Sequence, residues 1–172
     1  MSKTPRLAFA AIVVLLCANS TNSREVIAIE DGRSLYAVAL ITSVAEMEKS
    51  WGKQDDSLGG SRVRTDYHHL FLEKDSEITD VIPSHDGDFR FESLDTQSQI
   101  ERYKRLEKKY SILKIHTMQG DRSRLRIHVA QNWIEYKKGR LFAEISDWCD
   151  VEFQFDCEKN SFMVTSVKLG GI

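Results

Sequence analysis

The chain has 172 residues, with 24 Lys and Arg against 26 Asp and Glu, and it is 41% hydrophobic and 29% charged. These proportions are those of an ordinary globular chain of one or two domains. Two prolines and nine glycines exclude a collagen-like or Pro/Gly-rich disordered chain. Three cysteines are too few for a disulfide scaffold.

Residues 1–20 have the three-part layout of a secretory signal peptide. Two basic residues precede the unbroken apolar run 7–17, which is too short to span a bilayer, and small residues follow it. We therefore expect cleavage after Ser20 and export to the periplasm or the extracellular space; a retained N-terminal anchor is the alternative. The mature chain, residues 21–172, is predicted to be a single domain without a transmembrane segment.

Charge is unevenly distributed along the mature chain. Residues 21–95 carry 8 Lys and Arg against 16 Asp and Glu, whereas residues 96–172 carry 14 against 10. Such asymmetry concerns partners rather than fold. The excess of basic residues in the second half predicts that this half presents a surface for an anionic partner.

The first half of the mature chain predicts two helices and two strands. Apolar residues at three- and four-residue steps predict a helix over Leu35–Trp51. Strands are predicted over Arg62–Lys74 and Phe89–Leu94. A second helix should open at Thr96, whose hydroxyl forms a capping box with Gln99 three residues later.

The last sixty residues predict an antiparallel meander, because four apolar segments are separated by short breaks. The third segment alternates over its whole length, which predicts that its odd-numbered apolar residues share one face. The four predicted strands are Tyr110–Met118, Arg124–Tyr136, Leu141–Cys157 and Phe162–Leu169.

The register of the first hairpin follows from its apolar pattern. Pairing Leu113 with Val129 places every apolar residue of the hairpin on one face. Further along the second strand, Ile134 changes parity relative to Val129. This change predicts a β-bulge between Ala130 and Trp133.

The predicted elements describe an α+β fold in which helices pack on a curved antiparallel sheet of four or more strands. This order of elements is similar to that of the cone-shaped α+β folds of the nuclear transport factor two type. It is similar to cystatin-like folds to a lesser degree. The similarity lies in element order alone, because no motif of either family is present.

Two cysteines remain in the mature chain, Cys149 and Cys157. An exported pair suggests a disulfide. However, eight residues of one extended strand span roughly 26 Å, and a disulfide needs Cα atoms within about 7 Å. We therefore expect two buried, free thiols.

Asp147 is the candidate catalytic residue. It occupies an apolar position of the third meander strand, where a carboxylate is costly unless it is paired or faces a wet cavity. It either lines a pocket in the sheet or lies at a strand irregularity that turns it outward.

Five basic or titratable residues share the outward face of the first hairpin in the predicted register. They could bind an anionic surface or polymer, and more strongly below about pH 6.5, where histidine gains a proton. Aromatic residues do not interleave with them, which disfavours nucleic acid. The alternative is a solvated face paired with the acidic half of the chain. The five are Lys114, His116, Arg124, Arg126 and His128.

A metal site has only weak candidates in His68, His85 and Asp88. Zinc needs three or four convergent ligands, and the spacing of these residues does not enforce convergence. We expect no bound metal and no cofactor.

No nucleophile elbow, zinc-protease motif or phosphate-binding loop occurs in the chain. The sequence therefore favours a non-catalytic binding module that uses either a concave sheet pocket or the basic surface. Its partner would be an anionic envelope component, a small ligand or a protein. The alternative is a small hydrolase-like or isomerase-like enzyme with a pocket around Asp147.

Overall fold

The computed structural model describes residues 34–51, 66–106, 109–121 and 123–171. The expected signal segment and its cleavage site lie outside the described residues. No helix in the described part of the chain is both long and apolar enough to cross a membrane.

The described residues form two helices, eight strands and one 3-10 turn, Thr79–Val81. The helices and the last four long strands start and end close to their predicted bounds. The elements are α1 (Leu35–Trp51), β1 (His69–Glu73), β2 (His85–Asp86), β3 (Phe89–Leu94), α2 (Thr96–Leu106), β4 (Tyr110–Ile115), β5 (Gln119–Gly120), β6 (Arg124–Lys137), β7 (Arg140–Asp156) and β8 (Ser161–Gly171).

All eight strands belong to one open mixed sheet, so the α+β class and the antiparallel meander are confirmed. The strand order is β2-β3-β1-β4-β6-β7-β8, and β5 pairs with β6. β1 lies parallel to both β3 and β4, an arrangement that the sequence did not predict. β1 is also shorter than expected, because it begins at His69 and leaves His68 in the preceding turn.

Helix α1 covers one face of the sheet, which we call the first face. Its N-terminus is capped by Ser34, whose Oγ accepts a hydrogen bond from the Ala37 backbone N–H at 3.1 Å. Leu40, Val44 and Met47 of its predicted apolar stripe are buried against alternate residues of the sheet. This first core includes Leu40, Val44, Met47, Leu72, Leu113, Ile127, Val129, Cys149, Val151 and Phe153.

Helix α2 covers part of the opposite face, the second face, and builds a smaller second core there. The Arg102 guanidinium stacks 3.4 Å from the centre of the Phe71 ring. The helix begins at Thr96 as predicted, but its cap is Asp95, whose Oδ1 accepts the Ser98 N–H at 2.8 Å. The second core consists of Phe71, Leu94, Tyr110, Ile112 and Ile134.

The predicted hairpin register is wrong by two residues. Leu113 lies opposite Gln131, and Val129 lies opposite Ile115. A two-residue shift preserves parity, so the assignment of side chains to faces survives it. Ile134 has the opposite parity to Val129 because its side chain lies in the second core and that of Val129 in the first.

A strand irregularity occurs where the bulge was predicted, but its extra residue lies in the neighbouring strand. Gln131 pairs with Asp147 and Asn132 with Ile145, which leaves Ser146 as the extra residue of β7. The uniform alternation predicted for this strand is therefore wrong. Residues 141, 143 and 145 lie on the second face, whereas the odd-numbered residues from 147 to 153 lie on the first face.

Candidate functional site

The half of the second face that α2 leaves uncovered carries all five predicted surface residues. Lys114 pairs with Ala130, which places it on the second face beside the even-numbered residues of β6. The His116 N–H donates to the His128 carbonyl at 2.9 Å and extends this row. The shared face was correctly predicted because the register error was an even number of residues.

Two histidines, one indole and one carboxylate form the centre of this region, which we call the His–Trp cluster: His116, His128, Trp148 and Asp150. The His128 Nδ1 lies 2.7 Å from the Asp150 Oδ1. The His116 and His128 ring centroids are 5.0 Å apart, and the His128 and Trp148 centroids are 5.8 Å apart in a stacked arrangement. Four side chains, from β6, β7 and the segment that follows β4, thus converge on one patch.

The indole of Trp148 lies flat across the neighbouring strand because that strand has no side chain there. Gly170 pairs with Trp148, and a Cβ built on Gly170 would overlap the ring atoms Cε2 and Cζ2. The indole is half-buried, so it covers the glycine backbone and retains solvent contact. Such covering of a strand glycine by an aromatic ring stabilises the sheet.

The region around the cluster carries both signs of charge. The Lys114 Nζ lies 2.9 Å from the Glu73 Oε1, and the Lys168 Nζ lies 3.0 Å from the Glu152 Oε1. Arg126 lies opposite Glu152 in the ladder and donates a hydrogen bond to the Gln119 Oε1 at 2.9 Å. The surface is therefore not uniformly basic, and the Lys114–Glu73 pair is of the kind described by the alternative of a face paired with the acidic half of the chain.

The pKa of His116 is lowered from its ordinary value of 6.5. Partial burial is the main cause, and the positive potentials of His128 and Lys114 add to it. A buried imidazole resists protonation because its charged form loses hydration. His116 is therefore neutral at neutral pH and gains its charge only in more acidic solution.

The His128–Asp150 contact orients one imidazole. An ionised carboxylate only accepts hydrogen bonds, so the Nδ1 of His128 is the donor in this pair. The Nε2 is then left to bind or to exchange a proton with another group. The cluster can therefore hold a polar or anionic group beside an aromatic surface.

Asp147 lies on the first face, as its parity predicted, and is half-buried. The nearby tyrosine is Tyr67, whose pKa is raised to about 12 by burial, by Asp147 and by Glu48. A phenol of that pKa stays protonated at neutral pH. Tyr67 can donate a hydrogen bond there but does not act as a base.

The weak metal candidates are dispersed. His68 lies 3.6 Å from Glu48, His85 contacts the Ser84 hydroxyl at 3.0 Å, and Asp88 is in the turn before β3. Among the described residues, no group of three or more His, Cys, Asp or Glu side chains is placed to hold a metal ion.

Both described cysteines are free, but only one is buried. Cys149 lies in the first core, where burial raises the pKa of its thiol. Cys157 is exposed in the turn that follows β7, because the strand ends at Asp156. The expectation of two buried thiols is therefore wrong for Cys157.

Comparisons with protein-family models, curated proteins and solved structures find no match to this chain.

Sequence reasoning missed Trp148, Asp150 and Gly170 as members of the site. Their role depends on which residues of β6 face which residues of β7. The signal that could have found them is the even parity of His128, Trp148 and Asp150, which places all three on one face once the strands are aligned.

Proposed function

We propose that the protein is an exported, non-catalytic binding domain that holds an anionic envelope component on the His–Trp cluster and the basic residues beside it. The observation that carries this proposal is the adjacency of His116 and His128 on the half of the second face that α2 leaves uncovered. The same proposal includes export directed by residues 1–20. It also includes a curved, cone-like sheet, which the order of the elements supports.

The structure favours the surface over a concave pocket as the binding site. Leu40, Val44 and Met47 of α1 are fully buried against the first face, so apolar side chains fill that face where a pocket was considered. The second face instead carries the exposed side chains of Arg124 and Arg126 beside the cluster.

Binding should strengthen in acid. Glu73, Asp150 and Glu152 offset part of the positive charge at neutral pH. Protonation of histidine shifts this balance toward positive charge. For His116 this change takes place below pH 6.5, because its pKa is lowered.

The test is cosedimentation of the chain, purified from an exporting host, with vesicles containing phosphatidylglycerol and with neutral vesicles. We expect binding to the anionic vesicles only, more strongly at about pH 5 than at about pH 7.5. Arg124→Ala/Arg126→Ala should weaken it roughly thirtyfold, since each of the two basic residues near an anionic surface contributes about 1 kcal/mol.

The matched control removes two exposed lysines elsewhere, Lys49→Ala/Lys159→Ala. An equal loss of binding in the control would show that net charge, not this face, determines binding. Binding that is independent of pH in the wild type would remove the histidines from the proposal.

An enzymatic role around Asp147 is the second candidate, supported by its proximity to Tyr67. There Asp147 would be the base and the Tyr67 hydroxyl a hydrogen-bond donor. If the protein shows hydrolase or isomerase activity, loss of that activity in Asp147→Asn, with anionic-vesicle binding unchanged, would favour this role over the first.

A further inference from the structure

The outer side of β7 is only partly covered by β8. The β7–β8 ladder runs from the pair Asp156–Ser161 to the pair Asp147–Gly171. On its other side, β7 remains paired with β6 as far as Arg140. Residues 140–145 therefore form a strand edge without a partner strand in the described part of the chain. Such an edge offers unpaired backbone donors and acceptors to another strand.

The turn before this edge determines which backbone groups point outward. Residues 138 and 139 have φ angles of 49° and 79°, as in a type I′ turn. Such a turn closes on a hydrogen-bonded pair, here Lys137 and Arg140. Because hydrogen-bonded positions alternate along an antiparallel strand, the backbone groups of residues 141, 143 and 145 face outward.

The side chains on this edge are unusually apolar for an exposed strand. Phe142 is 51% exposed and Ile145 is 47% exposed. Among the described residues only three large hydrophobic side chains are exposed to this degree, and these are two of them. Arg140 and Glu144 flank Phe142 on either side, and both are exposed.

We propose that two copies of this protein associate by antiparallel pairing of residues 140–144, with Phe142 on the two-fold axis. In this register Arg140 lies opposite Glu144 of the second copy, and the contact occurs twice. Leu141 lies opposite Ala143, so outward-facing backbone groups meet each other. The edge is thus complementary to itself in charge, in apolar character and in hydrogen bonding.

The outer edge of β8 is less suited to such pairing. Its ladder with β7 is interrupted at Glu152 and Phe153, where Thr165 is the extra residue. A bulge twists an edge away from flat pairing, and an edge lysine such as Lys168 opposes it. Residues 140–145 of β7, in contrast, pair with β6 without a register shift among them, and the two charged residues beside Phe142, Arg140 and Glu144, are of opposite sign.

The proposed symmetry places the second faces of both copies on the same side of one continuous sheet. Residues directly opposite in an antiparallel pair lie on the same face. If the proposed function also holds, the dimer presents two His–Trp clusters to one surface. The association itself does not depend on that function.

The test uses two charge reversals, Arg140→Glu and Glu144→Arg, in the full chain, with sedimentation velocity to measure association. Wild type should be a concentration-dependent dimer. Each variant alone should dissociate about tenfold more readily, because two opposite-charge contacts become two like-charge contacts. Mixing the two variants should restore pairing as a heterodimer, since each then meets the opposite charge.

The control is the reversal pair Glu158→Lys and Lys159→Glu, exposed in the turn before β8. These variants should dimerise as wild type does. A wild type that stays monomeric at all concentrations would overturn the proposal, and would indicate that another segment covers the edge. Dimerisation that survives either single reversal at Arg140 or Glu144 would also overturn it.

Discussion

The Trp148 indole lies directly over the backbone of Gly170 on the neighbouring strand, where no side chain larger than hydrogen fits beneath it. The same indole stacks against His128. A residue at the sheet edge therefore helps to set the position of an aromatic ring in the His–Trp cluster.

Gly170→Ala should displace the Trp148 ring. Because the indole is half-buried and can turn outward, we expect a cost of about 1 kcal/mol, at the low end for overpacking. Urea unfolding measures the cost, and the Trp148 indole N–H resonance reports the displacement. In a Trp148→Ala background the same glycine substitution should cost almost nothing; an equal cost there would contradict the contact.

Protonation of His116 should destabilise the fold. Its folded-state pKa is lowered, so the unfolded chain binds this proton more readily, and stability falls as pH drops through 6.5. His116→Gln should therefore lose less stability than wild type between about pH 7.5 and pH 5. Urea unfolding at both pH values measures this, and the exposed His85→Gln variant is the control. Identical losses in His116→Gln and wild type would contradict the assignment.

Deletion of Ser146 should remove the irregularity in β7 and move every side chain of residues 140–145 to the other face. Leu141 would leave the second core, at a cost of about 2 kcal/mol or more. Ser146→Ala keeps the backbone and loses only the 3.2 Å hydrogen bond to the Gln131 carbonyl, worth about 1 kcal/mol. Hydrogen exchange of the β6–β7 hairpin and urea unfolding distinguish the two. A deletion no more costly than the substitution would show that the face assignment is wrong.

Asp95 should stabilise α2 as its N-cap. Its pKa is lowered chiefly by the Ser98 backbone N–H, so its contribution is present above its unfolded pKa of 3.8 and is lost as pH falls through the lower folded value. Asp95→Ala should destabilise the protein at neutral pH, whereas Asp95→Asn, which also caps, should restore most of the loss. Thermal unfolding measures both. A larger effect of Thr96→Ala would instead favour the cap predicted from the sequence.

The sequence predicted local elements well because their signals are local. The spacing of apolar residues predicts α1, and the short polar breaks between apolar segments predict the meander from Tyr110 to Leu169. It failed for β1, whose parallel pairing with β3 and β4 leaves no local signature. The second core was missed although β4 is apolar at both parities, with Ile112 beside Leu113, a pattern typical of strands buried on both faces.

The candidate site was only half predictable for the same reason. The parity of His128 and Lys114 follows from their own strands. The contacts of Trp148 and Asp150 depend on Ser146, a single extra residue that no turn or composition signal marks. Arrangement of side chains across strands is a property of register, and register depends on the whole sheet.

The parallel position of β1 has a consequence for the order of folding. β1 precedes β3 and β4 in the chain and is paired between them, so no hairpin closure can bring it into place. The β6–β7–β8 meander, in contrast, forms through contacts between neighbours in sequence. We expect the meander to form early and β1 to insert late, so the slowest step of folding is the closing of the sheet around its most central short strand.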